Sequence, residues 1–229
     1  MSLSTPPTQD QQRKVRMAAR ALARAGLVTA FGHCSLRLSE REFLVCKGKA
    51  MALIGPEDEG SVVAVDQPLP AGVLGEVRMH QAIYRARPDV QGISRFMSPQ
   101  VMALSAMGLG PAARHGLSAF FYPRAPYWPE TDLIRQDDLA AKVAATLGAA
   151  PAVVVSVNGA VTAGDSIEQS VALAWFLEDA ARVELAVLAA GRADETVFKS
   201  AQQAAARATW SGGILERAWD YLTDGDPEK

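Results

Sequence analysis

The run Ala152-Val153-Val154-Val155-Ser156-Val157, followed by Asn158-Gly159 and then Ala160-Val161-Thr162-Ala163, constrains the fold more than any other stretch. β-Branched side chains are stiff at χ1 and favour strands, and Asn-Gly accepts the left-handed backbone of a tight turn. The stretch therefore predicts two buried strands joined by a hairpin. Directly behind it, Ser166-Ile167-Glu168-Gln169 has the spacing of a capping box, and Leu173, Phe176, Leu177, Ala180, Val183 and Val187 form one apolar stripe that stops at Gly191. A hairpin feeding a long striped helix requires a sheet with that helix laid across it.

The remaining elements extend this plan. Val15, Ala18, Leu22 and Ala25 recur at helical spacing before Gly26, and Phe43 to Cys46 and Val62 to Val65 are short strand-like runs bounded by turn residues. A helix is expected from Glu76 to Pro88, a strand from Val90 to Phe96, and helices over Met102 to Met107 and Leu139 to Leu147, the last stopped by Gly148. Residues 194 to 222 carry a further helical pattern broken at Gly212-Gly213. The expected organisation is a disordered lead-in over residues 1–8, a single domain over 9–222 and an acidic tail over 223–229.

A chain of 229 residues with 49% hydrophobic content can bury one sizeable core. Its formal charge of -2 supplies no field to attract nucleic acid or an anionic membrane, so neither is expected as a partner. Cys34 and Cys46 lie outside any ligand or redox spacing and are expected as free thiols of a cytoplasmic protein. No run approaches the eighteen or so apolar residues of a membrane span.

Four blocks carry a resemblance to a known family. Phe31-Gly32-His33-Cys34-Ser35-Leu36-Arg37 is similar to a GHxSxR loop, Glu76 to Val90 to an acid-bearing helix, Ser94-Arg95-Phe96-Met97-Ser98-Pro99 to a metal-binding strand end, and Val157-Asn158-Gly159-Ala160 to a ligand hairpin. In this order, over about residues 15 to 191, they resemble the class II aldolase/adducin family, and most closely its decarboxylase-like branch. The resemblance implies a three-layer α/β/α fold with a mixed, mainly antiparallel sheet, a homotetramer, and a zinc or manganese ion held by three histidines. Here the three ligand positions read Arg95, Met97 and Asn158. A guanidinium cannot bind a cation, a thioether is a soft ligand and an amide oxygen a neutral one, so the family metal is expected to be lost and no cofactor is expected.

Two outcomes follow for Arg95: it replaces the cation as an anchor for a carboxylate, or it pairs with Glu76 in a decayed site. Glu76 falls at the family's general acid/base position, or is simply an acidic residue favoured by a helix N-terminus. His80, one turn later, is placed to face the same cleft unless it is a packed structural histidine. His33 and Ser35, in a glycine-led loop, are candidates to hold a substrate carboxylate, with a plain structural turn as the alternative. Lys47 and Asn158 are further candidate contacts, whereas Leu74 offers no donor to a phosphosugar. Tyr122, in the aromatic segment from His115 to Trp128, lines either a pocket for a flat acid or the core and subunit interface.

The reading that results is a lyase, decarboxylase- or aldolase-like, acting on a small carboxylate, aromatic ones included, without the family's divalent metal. A non-catalytic, adducin-like scaffold and a dehydratase or isomerase acting through an enolate are the alternatives.

Overall fold

A computed structural model describes residues 6–229. In chain order its helices are α1 (Gln9–Arg24), α2 (Arg78–Ala86), α3 (Pro99–Ala106), α4 (Asp137–Leu147), α5 (Ile167–Ala189), α6 (Ala201–Arg207) and α7 (Ile214–Leu222). The strands are β1 (His33–Arg37), β2 (Glu42–Val45), β3 (Ser61–Ala64), β4 (Gly92–Phe96), β5 (Tyr127–Trp128), β6 (Ala152–Val155) and β7 (Ala160–Gly164). They form one sheet in the order β3-β2-β1-β4-β7-β6-β5, antiparallel except for the β5/β6 pair. Helices α2 and α4 pack on one face and α1, α3, α5 and α7 on the other, each with its own apolar core. This is the expected three-layer α/β/α fold. Among the described residues no helix is long and apolar enough to cross a membrane.

Helix α1 begins at a capping box, with Gln11 N–H donating to Thr8 Oγ1 and Thr8 N–H donating back to Gln11 Oε1. Such a cap stabilises a helix by about 1 kcal/mol. At α5 the Ser166 hydroxyl accepts from Gln169 N–H, and Leu173, Phe176, Leu177 and Ala180 of the expected stripe are buried in the core, whereas Val183 and Val187 stay half-buried and line a surface hollow. The helix expected from Glu76 opens with one 3-10 turn, Gly75–Val77, before α2 proper.

The hairpin forms where expected, but the β6 strand stops at Val155, and Val157 takes a left-handed φ of 47°. That conformation is uncommon for a β-branched residue and stores on the order of 1–3 kcal/mol. Gly159, at φ 84°, has no alternative, because a Cβ there would collide with the Phe96 carbonyl. The tip of the hairpin is thus pressed against the end of β4.

Three segments differ from the sequence expectation. The glycine-led loop with His33 and Ser35 is a strand, β1, whose alternating polar residues mimic a loop because its polar face is buried. β5 is too short to leave a periodic signal and pairs parallel to β6. The acidic tail is part of the packed domain: Arg20 pairs with Asp226 at 2.7 Å and Arg16 with Glu228 at 2.6 Å, and Thr223 and Asp226 are buried. Of the expected lead-in, residues 1–5 lie outside the described residues, and residue 8 is the α1 cap.

Candidate active site

Alternation along β1 puts His33, Ser35 and Arg37 on one face and Cys34 and Leu36 on the other. The first three look towards α2, where His80 and Tyr84, four residues apart, share one side of the helix. The two periodicities bring four polar groups into a buried line. Ser35 Oγ lies 2.9 Å from Tyr84 Oη and 2.6 Å from His80 Nδ1, and His80 Nε2 lies 2.8 Å from His33 Nδ1. Beyond it, His33 Nε2 is buried without a partner.

That unpartnered nitrogen belongs to a residue lining a cleft of about 500 Å³. The cleft is formed where the start of β1, the end of β4 and the β6/β7 hairpin meet, with His33 opposite Arg95 in register and Arg95 opposite Val161. Its walls include Phe31, Leu74, Glu76, Met97, Leu133 and Asn158. Arg95 is 6% exposed, and its Nη2 donates to the backbone carbonyl of Asn158 at 3.3 Å and to the Asn158 side-chain oxygen. Among the described residues no carboxylate pairs with it. The expected decayed pairing with Glu76 does not form, since Glu76 accepts from Arg135 Nε at 2.9 Å.

Burial is the main cause that lowers the Arg95 pKa, with Glu76 opposing, but a guanidinium stays charged in any protein environment. The same burial, reinforced by the charge that a protonated His80 carries and by that of Arg95, holds His33 well below the ordinary histidine value. His80 is brought to about 3 by burial and then by Arg95. Burial pushes the Tyr84 phenol well up. At neutral pH both imidazoles are therefore neutral, each with one ring proton, and Tyr84 keeps its own.

Of the residues expected in the site, Glu76, Arg95, His33 and Asn158 are brought together in the cleft. His80 and Ser35 are not on its wall: both are fully buried and reach it only through His33. Lys47 is exposed outside the lining, which takes Gly48 and Lys49 instead, and Lys49 is held by Asp58 at 2.8 Å. Tyr122 packs edge-on against Phe198 and lines a separate hollow, as a core or interface residue would. Tyr84 and Arg135 were missed. The His80-x-x-x-Tyr84 spacing carries a signal for the first, whereas Arg135 reaches Glu76 from 59 residues away and leaves none.

The donor set does not fit the family's divalent ion. Asn158 already gives its oxygens to Arg95, Met97 offers only sulfur, and among the described residues no three His, Cys, Asp or Glu side chains converge.

Comparison with known proteins gives consistent results. Residues 13–185 match the family described as Class II Aldolase and Adducin N-terminal domain. The chain is 31% identical over 198 residues to 3,4-dihydroxyphthalate decarboxylase of Arthrobacter keyseri, covering 78% of this chain and 79% of the relative. It is 30% identical over 201 residues to the 3,4-dihydroxyphthalate decarboxylase of Terrabacter sp. (strain DBF63), covering 80% and 83%. In structure it is similar to the L-fuculose 1-phosphate aldolase from Glaciozyma antarctica PI12, with a TM-score of 0.76 and 24% identity over 98% of this chain and 97% of that one. An aldolase II superfamily protein from Pseudomonas syringae gives a TM-score of 0.76 at 23% identity over 96% and 93%.

Proposed function

The chain belongs to the class II aldolase and adducin family, and on that premise we propose that its cleft serves a carbon–carbon lyase of decarboxylase type, acting on a small aromatic carboxylate, with Arg95 in place of the divalent ion. The observation that carries this reading is a buried guanidinium in the wall of an open cleft to which no carboxylate among the described residues is bonded. A buried cation left unpaired is costly, and a bound carboxylate relieves that cost through charge-assisted hydrogen bonds.

In the proposed reaction a proton is added to the carbon that bears the carboxylate. The bond from that carbon to the carboxylate then breaks; carbon dioxide leaves and the electron pair of that bond returns to the ring, restoring its aromaticity. Arg95 and His33 hold the anionic oxygens and steady the charge that develops, while Glu76, on the cleft wall, moves the proton. Phe31, Leu74 and Leu133 supply apolar surface for a flat ring. The names of the relatives make 3,4-dihydroxyphthalate the first compound to try.

The rival reading, a non-catalytic interaction protein, has one observation on its side, since the same Phe31, Leu74 and Leu133 are exposed at the cleft mouth. Such a rim also suits a second copy of the chain, and a cytoplasmic homotetramer is the assembly we propose. To separate the readings, chelator-dialysed protein is given 3,4-dihydroxyphthalate and a panel of simple carboxylates while carbon dioxide release and thermal unfolding are followed. Release without added metal, with a rise in Tm that Arg95→Ala abolishes, is expected. Activity that appears only on adding zinc or manganese would overturn the metal-free mechanism, and no release or shift with any carboxylate would favour the interaction protein.

A further inference from the structure

We propose that Tyr84, acting through Ser35 and His80, holds His33 in the tautomer with its proton on Nε2, so that the cleft meets a fixed hydrogen-bond donor beside Arg95 rather than a base. The line of contacts has two possible polarities. In one, Tyr84 O–H donates to Ser35, Ser35 O–H to His80 Nδ1 and His80 Nε2–H to His33 Nδ1, leaving His33 Nε2–H as the unpartnered end of the line, on a residue of the cleft wall. In the other every proton is reversed, and His33 shows the cleft a bare nitrogen.

The far end of the line decides between them. Among the described residues Ser35 is the one hydrogen-bond partner of the Tyr84 hydroxyl, which is buried. Reversed polarity would leave that buried hydroxyl proton without an acceptor and His33 Nε2 without a donor, two unsatisfied groups against the single unpartnered His33 Nε2–H of the first polarity. Losing a buried hydrogen bond disfavours that state roughly tenfold or more. A phenol can rotate but cannot turn into a pure acceptor without ionising, and its burial opposes ionisation. Arg37, which lies 4.5 Å above the Tyr84 ring, spends its own donors on the carbonyls of Tyr84, Arg87 and Val90 and offers the hydroxyl no acceptor.

The consequence is a selectivity device. With His33 Nε2–H and Arg95 both donating, the cleft accepts carboxylate or deprotonated hydroxyl oxygens and disfavours ammonium or amide N–H groups at the same point. This part rests on the anion-binding reading proposed above, whereas the tautomer itself does not. Tyr84, Ser35 and His80 are positioning residues, because none of them lines the cleft.

Imidazole nitrogen NMR on the full-length protein, labelled at its three histidines, tests the proposal, with His115→Gln removing the third set of signals. Both His33 and His80 should show protonated Nε2 and bare Nδ1. A His33 signal with the proton on Nδ1 would overturn the proposal outright, and this measurement needs no variant in the line itself. Tyr84→Phe should release the lock and give a mixture of tautomers at His33, and an unchanged single tautomer would count against the role of Tyr84. If that variant does not fold, Ser35→Ala provides the same break. Nε2-protonated histidines in a protein that binds no carboxylate would sink the proposed function and leave this inference standing.

Discussion

One nitrogen of Arg95 donates to both oxygens of Asn158, so two of the three positions where the family resemblance places metal-binding histidines are instead bonded to each other. The bond ties the end of β4 to the tip of the β6/β7 hairpin. It orients the guanidinium, and among the described residues no carboxylate bonds to it, as the proposed anion site requires.

Removing that cation should remove anion binding. Charge-assisted hydrogen bonds contribute about 1.5–3 kcal/mol, so Arg95→Ala should weaken carboxylate affinity roughly tenfold to a hundredfold by calorimetry. Arg95→Lys should recover only part of this, since an ammonium lacks the planar fork. Equal affinity in all three proteins would mean that Arg95 does not hold the ligand.

Gly159→Ala should act on the same site from behind. The new Cβ would strike the Phe96 carbonyl at a residue already in the left-handed region, displacing Asn158 from Arg95. A loss of at least about 1 kcal/mol in urea unfolding is expected, together with weaker carboxylate binding. Unchanged unfolding and binding would show that the hairpin tip is slack.

Stability should fall with acid from near pH 6.5, before any carboxylate titrates. An unfolded histidine has a pKa near 6.5. Buried His80 is brought to about 3 and His33 is also well depressed. Between these values the unfolded chain binds protons that the native state refuses. Each histidine then costs about 1.4 kcal/mol per pH unit on descent. His80→Gln should reduce the slope of unfolding free energy between pH 7 and 5; the same slope in both proteins would contradict neutral, buried histidines.

The C-terminal segment should behave as core. Asp226 and Glu228 neutralise Arg20 and Arg16, whose side chains are 9% and 7% exposed. A chain ending at residue 222 leaves two nearly buried guanidiniums without partners, for which a loss of about 3–5 kcal/mol is expected in chemical unfolding. Against the burial that opposes it, Arg20 lowers the pKa of Asp226, and Arg16 with Arg20 lowers that of Glu228. Their contribution is complete above the ordinary carboxylate value of about 4 and is lost as pH falls through the lower native values. A truncated protein as stable as the full chain would return the segment to the status of a loose tail.

The sequence by itself determined what depends on near neighbours. The valine run with its Asn-Gly turn, the capped and striped α5 and the stop at Gly148 were legible because strand alternation, turn geometry and helical spacing act over a few residues. The charge of Arg95 and the unsuitability of Met97 and Asn158 as ligands were legible too, being properties of the residues themselves. Tertiary structure alone decided which groups meet. Ser35 reads as a loop serine until Tyr84, 49 residues away, is laid over it, and Asp226 reads as tail until Arg20, 206 residues away, reaches it. The sequence points to Lys47 at the cleft, yet the fold puts Lys49 on its wall. The physical reason is register: in a sheet a shift of one residue sends a side chain to the opposite face, so a buried polar group finds its partner only after the strands and helices have been aligned.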